Sequence, residues 1–356
     1  MSTAPHLREL CRDEPVLALC GPSGSGKTTL LEQVIPVLGE RGLRVAVVKH
    51  DVHGITLDPS RKDSARLFAA GADVVVRGPG ESLWRRHGQE PNGLGAVLLD
   101  LLAGHDLVLV EGHKETPLAK LWISGPDACG PPPDVEEVVE VLPRDGARPE
   151  RLLGLLDRWL PEVWARRRLL GGILIGGAAK RMGQAKQLLP FQGRPLLEAV
   201  WSAMQPHVEE VVLLGAGEVP ATLAQAPRLP DVAEARGPLS GMLAAVRWAP
   251  RAAWVLAACD LPLASAEAVS WLVAERRPGR WAVLPRVNNR GIEPLLAIYE
   301  PQARPLLEAV AAAGHVGPCC IADHPSVVSP QPPAALARSW HNVNTLEDLA
   351  ALDPER

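Results

Sequence analysis

The sequence predicts an α/β protein of two consecutive domains, each built on a mostly parallel sheet. Three observations predict it. The chain has 356 residues, against a prior of roughly 150 per domain. Short runs that are apolar on both faces alternate with stretches of helical spacing, as a parallel sheet covered on both sides requires. A strand, a glycine-rich turn and a helix open this pattern twice, at Val16 and again at Gly172. The two turns differ in spacing, so the halves are not read as a repeat. The expected domains are residues 1–165 and 169–356.

In the first half, Val16-Leu-Ala-Leu-Cys20 reads as a buried strand running into Gly-Pro-Ser-Gly-Ser-Gly. Leu30, Leu31, Val34, Ile35 and Leu38 carry a helix from Lys27 to Leu38, stopped by Gly39. Leu43–Val48, Leu107–Val110 and Val138–Leu142 are strand candidates, and Pro149–Leu160 is the last helix. Residues 125–133 are rich in Pro and Gly and predict a surface loop. Arg166-Arg167-Arg168 reads as a solvated linker. In the second half, strands are expected at 172–175, Val211–Leu214, Trp254–Ala258 and Leu295–Tyr299. Helices are expected at Leu196–Met204, Ser240–Trp248 and Leu346–Leu352.

Composition narrows the function classes. Hydrophobic residues make up 47% and charged residues 22%, which excludes a disordered or fibrous chain. A net charge of −4 gives no electrostatic case for nucleic acid or an acidic membrane. The chain shows no signal-peptide core and no uncharged run of 18 apolar residues, so a soluble cytoplasmic protein is expected. Six Cys without a CxxC pair fit reduced thiols. Of 37 basic residues only seven are Lys, and none follows Lys186. A chain that otherwise writes Arg makes each Lys informative, because a compact mobile ammonium is not interchangeable with a planar guanidinium.

Gly21-Pro-Ser23-Gly24-Ser25-Gly26-Lys27-Thr28-Thr29 fits G-x-x-x-x-G-K-[ST] between a strand and a helix. The glycines let successive N–H groups face phosphates, and the helix N-terminus adds its dipole. Lys27 is placed for the β- and γ-phosphates and the Thr28 hydroxyl for Mg²⁺. These residues predict a P-loop NTPase domain of three-layer α/β/α form. Glu111, at the carboxyl end of the run Leu107–Val110, is the candidate acid for Mg²⁺ or its water. Asp106, at the other end, is expected to cap the strand.

Several further motifs follow in order: Lys49-His50-Asp51-Val-His53-Gly54, Asp58-Pro-Ser-Arg61-Lys62-Asp63-Ser64, Ala70-Gly71-Ala72 and Glu111-Gly-His113-Lys114. Together with the P-loop they resemble the MobB family, P-loop GTP-binding proteins of molybdenum-cofactor maturation, over residues 13–125. The resemblance implies GTP as ligand. Arg61 stands where that family usually has Gly. His50, His53 and His113 lack acidic or Cys partners at ligand spacing and read as polar residues around a nucleotide or an interface.

The second glycine-rich loop is Leu174-Ile175-Gly176-Gly177-Ala-Ala-Lys180-Arg181-Met-Gly-Gln-Ala185-Lys186, followed by Gln-Leu-Leu-Pro. It resembles the nucleotidyltransferases that join an NTP to a phosphate acceptor. Arg236-Gly237-Pro-Leu-Ser-Gly241, Cys259-Asp260-Leu-Pro262 and His341-Asn342-Val-Asn344-Thr345 narrow the likeness to the MobA family, molybdenum cofactor guanylyltransferases, over residues 170–352. A Rossmann-like fold with a mostly parallel sheet is implied. The resemblance puts Leu174, Ile175, Gly176, Gly177, Asp231, Gly237 and Gly241 around the nucleotide. Arg181 and Lys186 are assigned to the triphosphate and the departing pyrophosphate. Asp260 is assigned to Mg²⁺, and Asn342 and Asn344 to the acceptor side. The chain departs from the family at Ile175, Ala185 and Gly215. The stretch Gln184–Pro190 also resembles cytidylyltransferases.

The expected function is transfer of GMP from Mg·GTP to molybdopterin or its molybdenum form, with an N-terminal domain that binds GTP and hydrolyses it weakly. The product would pass to cofactor-insertion proteins or molybdoenzymes. Three alternatives stay open: the same reaction with CTP, a sugar-phosphate nucleotidyltransferase, and an adaptor that delivers nucleotide or cofactor without chemistry.

Overall fold

The computed structural model describes residues 12–49, 63–85, 93–127, 130–175, 185–287 and 291–352. Two sheets organise them. The first contains β1 (Val16–Cys20), β2 (Val45–Lys49), β5 (Leu107–Glu111), β6 (Ala119–Ile123) and β7 (Val138–Leu142) in the order β2-β5-β1-β6-β7. All its pairings are parallel. The central strand β1 is buried along its whole length, as its unbroken apolar run requires. Leu17 and Leu19 pack under α1 (Lys27–Glu40) and α4 (Arg148–Arg166), while Val16, Ala18 and Cys20 pack under α3 (Leu94–Leu102). The expected three layers are present.

Between β2 and α3 lie α2 (Asp63–Ala69) and an antiparallel hairpin of β3 (Val74–Gly78) and β4 (Glu81–Arg85). This hairpin is not among the predicted strands. Val75, Val76, Leu83 and Trp84 are all exposed, so the pair shows no alternation between a buried and a wet face.

The second sheet has the order β12-β11-β8-β13-β17-β14-β18. It comprises β8 (Leu169–Leu174), β11 (Val211–Leu214), β12 (Arg228–Leu229), β13 (Ala253–Ala258), β14 (Ala282–Val283), β17 (Ala297–Tyr299) and β18 (Val327–Val328). Only β17 among these runs antiparallel to its neighbours. α5 (Leu196–Met204) and α7 (Ala266–Ala274) cover one face, α6 (Pro238–Trp248) and α8 (Arg304–Ala312) the other. Short pairs β9 (Pro190–Phe191) with β10 (Arg194–Pro195), and β15 (Arg286–Val287) with β16 (Gly291–Ile292), lie outside the sheet. The chain closes on α9 (Leu346–Leu352). Trp254 and Trp281 are core residues, whereas Trp248 is half exposed.

The expected solvated linker is corrected. Arg167 is buried, and it joins the two halves. Its Nη2 lies 3.4 Å from Glu14 Oε2, its Nη1 donates to Gln302 Oε1 at 3.2 Å, and its guanidinium stacks on Trp164 at 3.9 Å. Glu14 also accepts from Arg251 Nε at 2.9 Å, and Glu300 takes a two-pronged contact from Arg276 at 2.6 and 3.3 Å. A run of three like charges cannot signal this, because the partners that neutralise it lie far away in sequence. Asp106 is corrected in the same way. Its carboxylate is fully buried and accepts from the Arg44 N–H at 2.8 Å and from Trp281 Nε1 of the second half at 2.9 Å. Burial pushes its pKa up, against the pull of those two donors.

These contacts lie at the amino ends of β1, β2, β5, β8, β13 and β14, after α7 and in the turn that follows β17. The two halves therefore meet near the amino ends of their strands, at the opposite end of each strand from the candidate sites.

Candidate nucleotide sites

Each candidate site lies at the carboxyl ends of a parallel sheet, where α/β proteins place their ligands. In the first half, β1 runs out at Cys20 and α1 starts at Lys27, leaving residues 21–26 as the turn. Gly26 has φ 89°, a left-handed conformation that favours glycine. Gly21 passes against β6, where an added Cβ would lie 2.3 Å from the Ile123 carbonyl oxygen. Ser25 is buried beneath the loop, and Ser23, Gly24, Thr28 and Thr29 are exposed on it. Lys27 Nζ donates to the carbonyls of Gly21 at 3.1 Å and Pro22 at 2.9 Å. The Thr28 hydroxyl lies 3.1 Å from both carboxylate oxygens of Glu111. The parallel register Leu19↔Glu111 brings the two together. A hydroxyl against one carboxylate is an oxygen donor set of the kind Mg²⁺ uses when phosphates and water complete its shell.

Two features of this site escape sequence reasoning. Cys20 donates its thiol to the Gly112 carbonyl at 3.1 Å, and burial raises its pKa. Arg148, at the start of α4, reaches the loop from beneath. Nothing in the sequence around 148 marks it, since its contact with the loop spans 123 positions.

In the second half, Gly176, Gly177 and Arg181 lie outside the described residues. Leu174 and Ile175 are buried, and the Leu174 carbonyl accepts from the Cys259 N–H at 3.2 Å. Adjacent strands β8 and β13 thus end together, in the register Ala258↔Leu174. Asp260 follows directly. Its Oδ2 is 2.5 Å from Lys186 Nζ, which also donates to Asn344 Oδ1 at 3.1 Å. Asp260 Oδ1 is buried and has no hydrogen-bond partner. The Val343 N–H donates to the Asp260 carbonyl at 3.0 Å and ties the segment of Asn342 and Asn344 to the strand end. Asn342 is exposed on that segment. An ammonium, a carboxylate and an amide separated by up to 158 positions therefore meet at one point. The unpartnered carboxylate oxygen fits a divalent cation, because a buried acceptor with no donor otherwise has no compensation.

Asp231 and Gly241 meet beside this cluster. A Cβ on Gly241 would lie 2.5 Å from Leu174 Cδ2 and 3.4 Å from Asp231 Oδ1. The Ser240 hydroxyl is 2.9 Å from Asp231 Oδ1 and 2.7 Å from the Gly237 carbonyl, and can donate to only one at a time. Gly237 is the residue before α6. Cys259, between the strand end and Asp260, is pushed up to about 12 by burial and then by the Asp260 charge. It remains a thiol and packs as a small side chain. Sequence reasoning also passes over Asp348. Its Oδ2 accepts from the N–H groups of Asn344 at 2.8 Å and Thr345 at 2.9 Å, which fixes the backbone that carries Asn344.

Comparison with known proteins finds a different family for each half. Residues 16–140 match the family described as molybdopterin guanine dinucleotide synthesis protein B, MobB. Residues 171–326 match the MobA-like NTP transferase domain. A molybdopterin-guanine dinucleotide biosynthesis adapter protein from Haemophilus influenzae is 40% identical over 131 residues, covering 35% of this chain and 71% of that protein. A molybdenum cofactor guanylyltransferase from Pseudomonas putida is 36% identical over 146 residues, covering 40% and 75%.

The chain belongs to both families, as a MobB–MobA fusion.

A relative from Synechocystis, named molybdenum cofactor biosynthesis bifunctional protein, is 31% identical over 155 residues, covering 43% of this chain and 44% of that protein. The MobA-like half of the fusion is a nucleotidyltransferase domain, and its cluster of Lys186, Asp260 and Asn344 lies at the carboxyl ends of β8 and β13. The MobB-like half carries the complete phosphate loop. Among the described residues no helix is long and apolar enough to cross a membrane.

Proposed function

We propose that the MobA-like half transfers GMP from GTP to the terminal phosphate of molybdopterin or its molybdenum form. The carrying observation is the meeting of Lys186, Asp260 and Asn344 at the ends of β8 and β13, with one Asp260 oxygen buried and unpartnered. The acceptor phosphate attacks the α-phosphorus of GTP. A new P–O bond forms, the bond between the α- and β-phosphates breaks, and pyrophosphate leaves with the electron pair. The attacking phosphate is already a competent anion, so no serine or cysteine nucleophile is required. Cys259, held as a thiol, fits that economy.

The domain's task is then positioning and charge neutralisation. Lys186 answers the negative charge of the triphosphate, and Arg181 is assigned the same work. Asp231, held beside Ser240 and Gly241, is assigned to the guanosine. Asp260 would hold Mg²⁺, whose contribution when bound is to neutralise charge on the phosphate oxygens. Asn342 and Asn344 face the acceptor. We assign residues 1–165 to the GTP-binding adapter domain and 169–356 to the transferase. In the adapter domain Lys27, Thr28 and Glu111 hold Mg·GTP, with slow hydrolysis. The reaction is placed in the cytoplasm, which the free thiols of Cys20, Cys259, Cys319 and Cys320 fit. The product is passed to the apo-enzymes or insertion proteins that use the dinucleotide form.

The test is a reaction of the purified chain with molybdopterin, Mg²⁺ and each nucleoside triphosphate in turn, with mass analysis of the product. A guanine dinucleotide formed from GTP is expected. A cytosine dinucleotide formed in preference would overturn the base assignment, and no dinucleotide at all would favour an adaptor without chemistry.

A further inference from the structure

A buried guanidinium lies directly under the phosphate loop of the MobB-like half. Arg148 is the first residue of α4 and is only 9% exposed. Its Nη1 donates to the Ser25 carbonyl at 2.7 Å, its Nη2 to the Ser124 carbonyl at 2.6 Å, and its Nε to the Pro143 carbonyl at 2.6 Å. These acceptors come from three segments: the loop, the end of β6 and the end of β7. Among the described residues Arg148 forms no ion pair. Burial, followed by the charge of Arg144, lowers its pKa. A buried cation bonded to carbonyls, with only the Asp145 charge nearby to offset its burial, is costly to keep and calls for a use.

Peptide planarity supplies that use. The C=O of Ser25 and the N–H of Gly26 belong to one planar trans unit and point in opposite directions. With the Ser25 oxygen turned down onto Arg148, the Gly26 N–H is turned toward the open side of the loop. The helix makes no competing claim on that carbonyl, because its first bond runs from the Leu30 N–H to the Gly26 oxygen at 2.9 Å. Gly26, in its left-handed conformation, is where the peptide orientation is most free to change.

We propose that Arg148 is a positioning residue for the N-terminal phosphate loop, locking the Ser25–Gly26 peptide with its N–H toward a bound nucleoside triphosphate. Its positive charge, bonded to the loop at the Ser25 carbonyl, also raises the potential at the phosphate position. The assignment rests on the reading of this half as a GTP-binding domain.

The test is a titration of the full-length chain with N-methylanthraniloyl-GTP, in an Asp260→Ala background that weakens the second site. Lys27→Ala in the same background defines the binding that belongs to the first. Arg148→Ala is expected to weaken Lys27-dependent binding about ten- to a hundredfold, the loss of a charged hydrogen bond. Arg148→Lys should fall between the two. Millimolar methylguanidinium should restore binding to Arg148→Ala and leave Lys27→Ala unrepaired. Native affinity in Arg148→Ala overturns the assignment. So does a loss that methylguanidinium leaves unrepaired, which would mark a purely structural residue. If the parent chain shows no Lys27-dependent binding at all, the GTP-binding reading itself fails and the role of Arg148 with it.

Discussion

At Gly21 one methyl group decides whether the phosphate loop can sit on its sheet. The position a Cβ would take is 2.3 Å from a backbone oxygen of β6, which has no rotamer by which to yield. Gly21→Ala is therefore expected to abolish Lys27-dependent GTP binding while GMP transfer continues, as paired binding and transfer assays would read. Lys186 is the other residue at which one change is decisive. Its ammonium is 2.5 Å from Asp260 and 3.1 Å from Asn344, contacts that a compact charge makes and a planar fork does not. Lys186→Arg keeps the charge and should still lower kcat about ten- to a hundredfold, with folding unchanged by circular dichroism. The chain writes Arg throughout the remainder of this half, so at position 186 the choice of Lys reflects geometry. Both residues are legible in the sequence because each sits in a contiguous motif. Arg148 and Arg167 are not, because their partners lie 123 and 153 positions away and only the fold joins them.

The strand, glycine turn and helix at the head of the first half could be read directly, since periodicity and turn chemistry agree over adjacent residues, and so could the strand that opens the second half. Two-residue strands such as β14 and β18 are too short to show any period, and the exposed hairpin β3–β4 buries no face that would impose one. The segment before α9 illustrates what lies between these cases. His341-Asn-Val-Asn-Thr345 is recognisable as a motif, but its support comes from within the helix. Asp348 accepts from the N–H groups of Asn344 and Thr345, and the Asp348 N–H donates to Thr345 Oγ1 at 3.0 Å, a reciprocal cap. Those backbone donors hold the Asp348 carboxyl below its usual 3.8. A depressed carboxyl gives its support in full above the unfolded value and loses it as the pH falls through the folded one. The cap should therefore stay intact throughout the neutral and mildly acidic range. Asp348→Ala should loosen Asn344 and raise the KM for the acceptor at every pH in that range, with a smaller change in the KM for GTP.

Across the whole molecule, the contacts that join the two halves lie near the amino ends of strands, whereas each candidate site lies at carboxyl ends. The joint itself can be tested through Trp281, which donates to the buried Asp106 carboxylate. Trp281→Phe leaves that carboxylate with the Arg44 N–H and is expected to cost about 1–3 kcal/mol of stability in urea unfolding. The folded pKa of Asp106 is already raised by burial, and losing a donor raises it further. The difference between the two proteins should thus be full at neutral pH and shrink as acid protonates Asp106 in both.

Separate sites also imply separate failures. The most direct test of the account is dinucleotide formation from GTP and molybdopterin by Lys27→Ala and Asp260→Ala, measured side by side with the parent chain. Lys27→Ala should form product at the parent rate and Asp260→Ala should form none. Product from Asp260→Ala at the parent rate, or its loss in Lys27→Ala, would contradict the account.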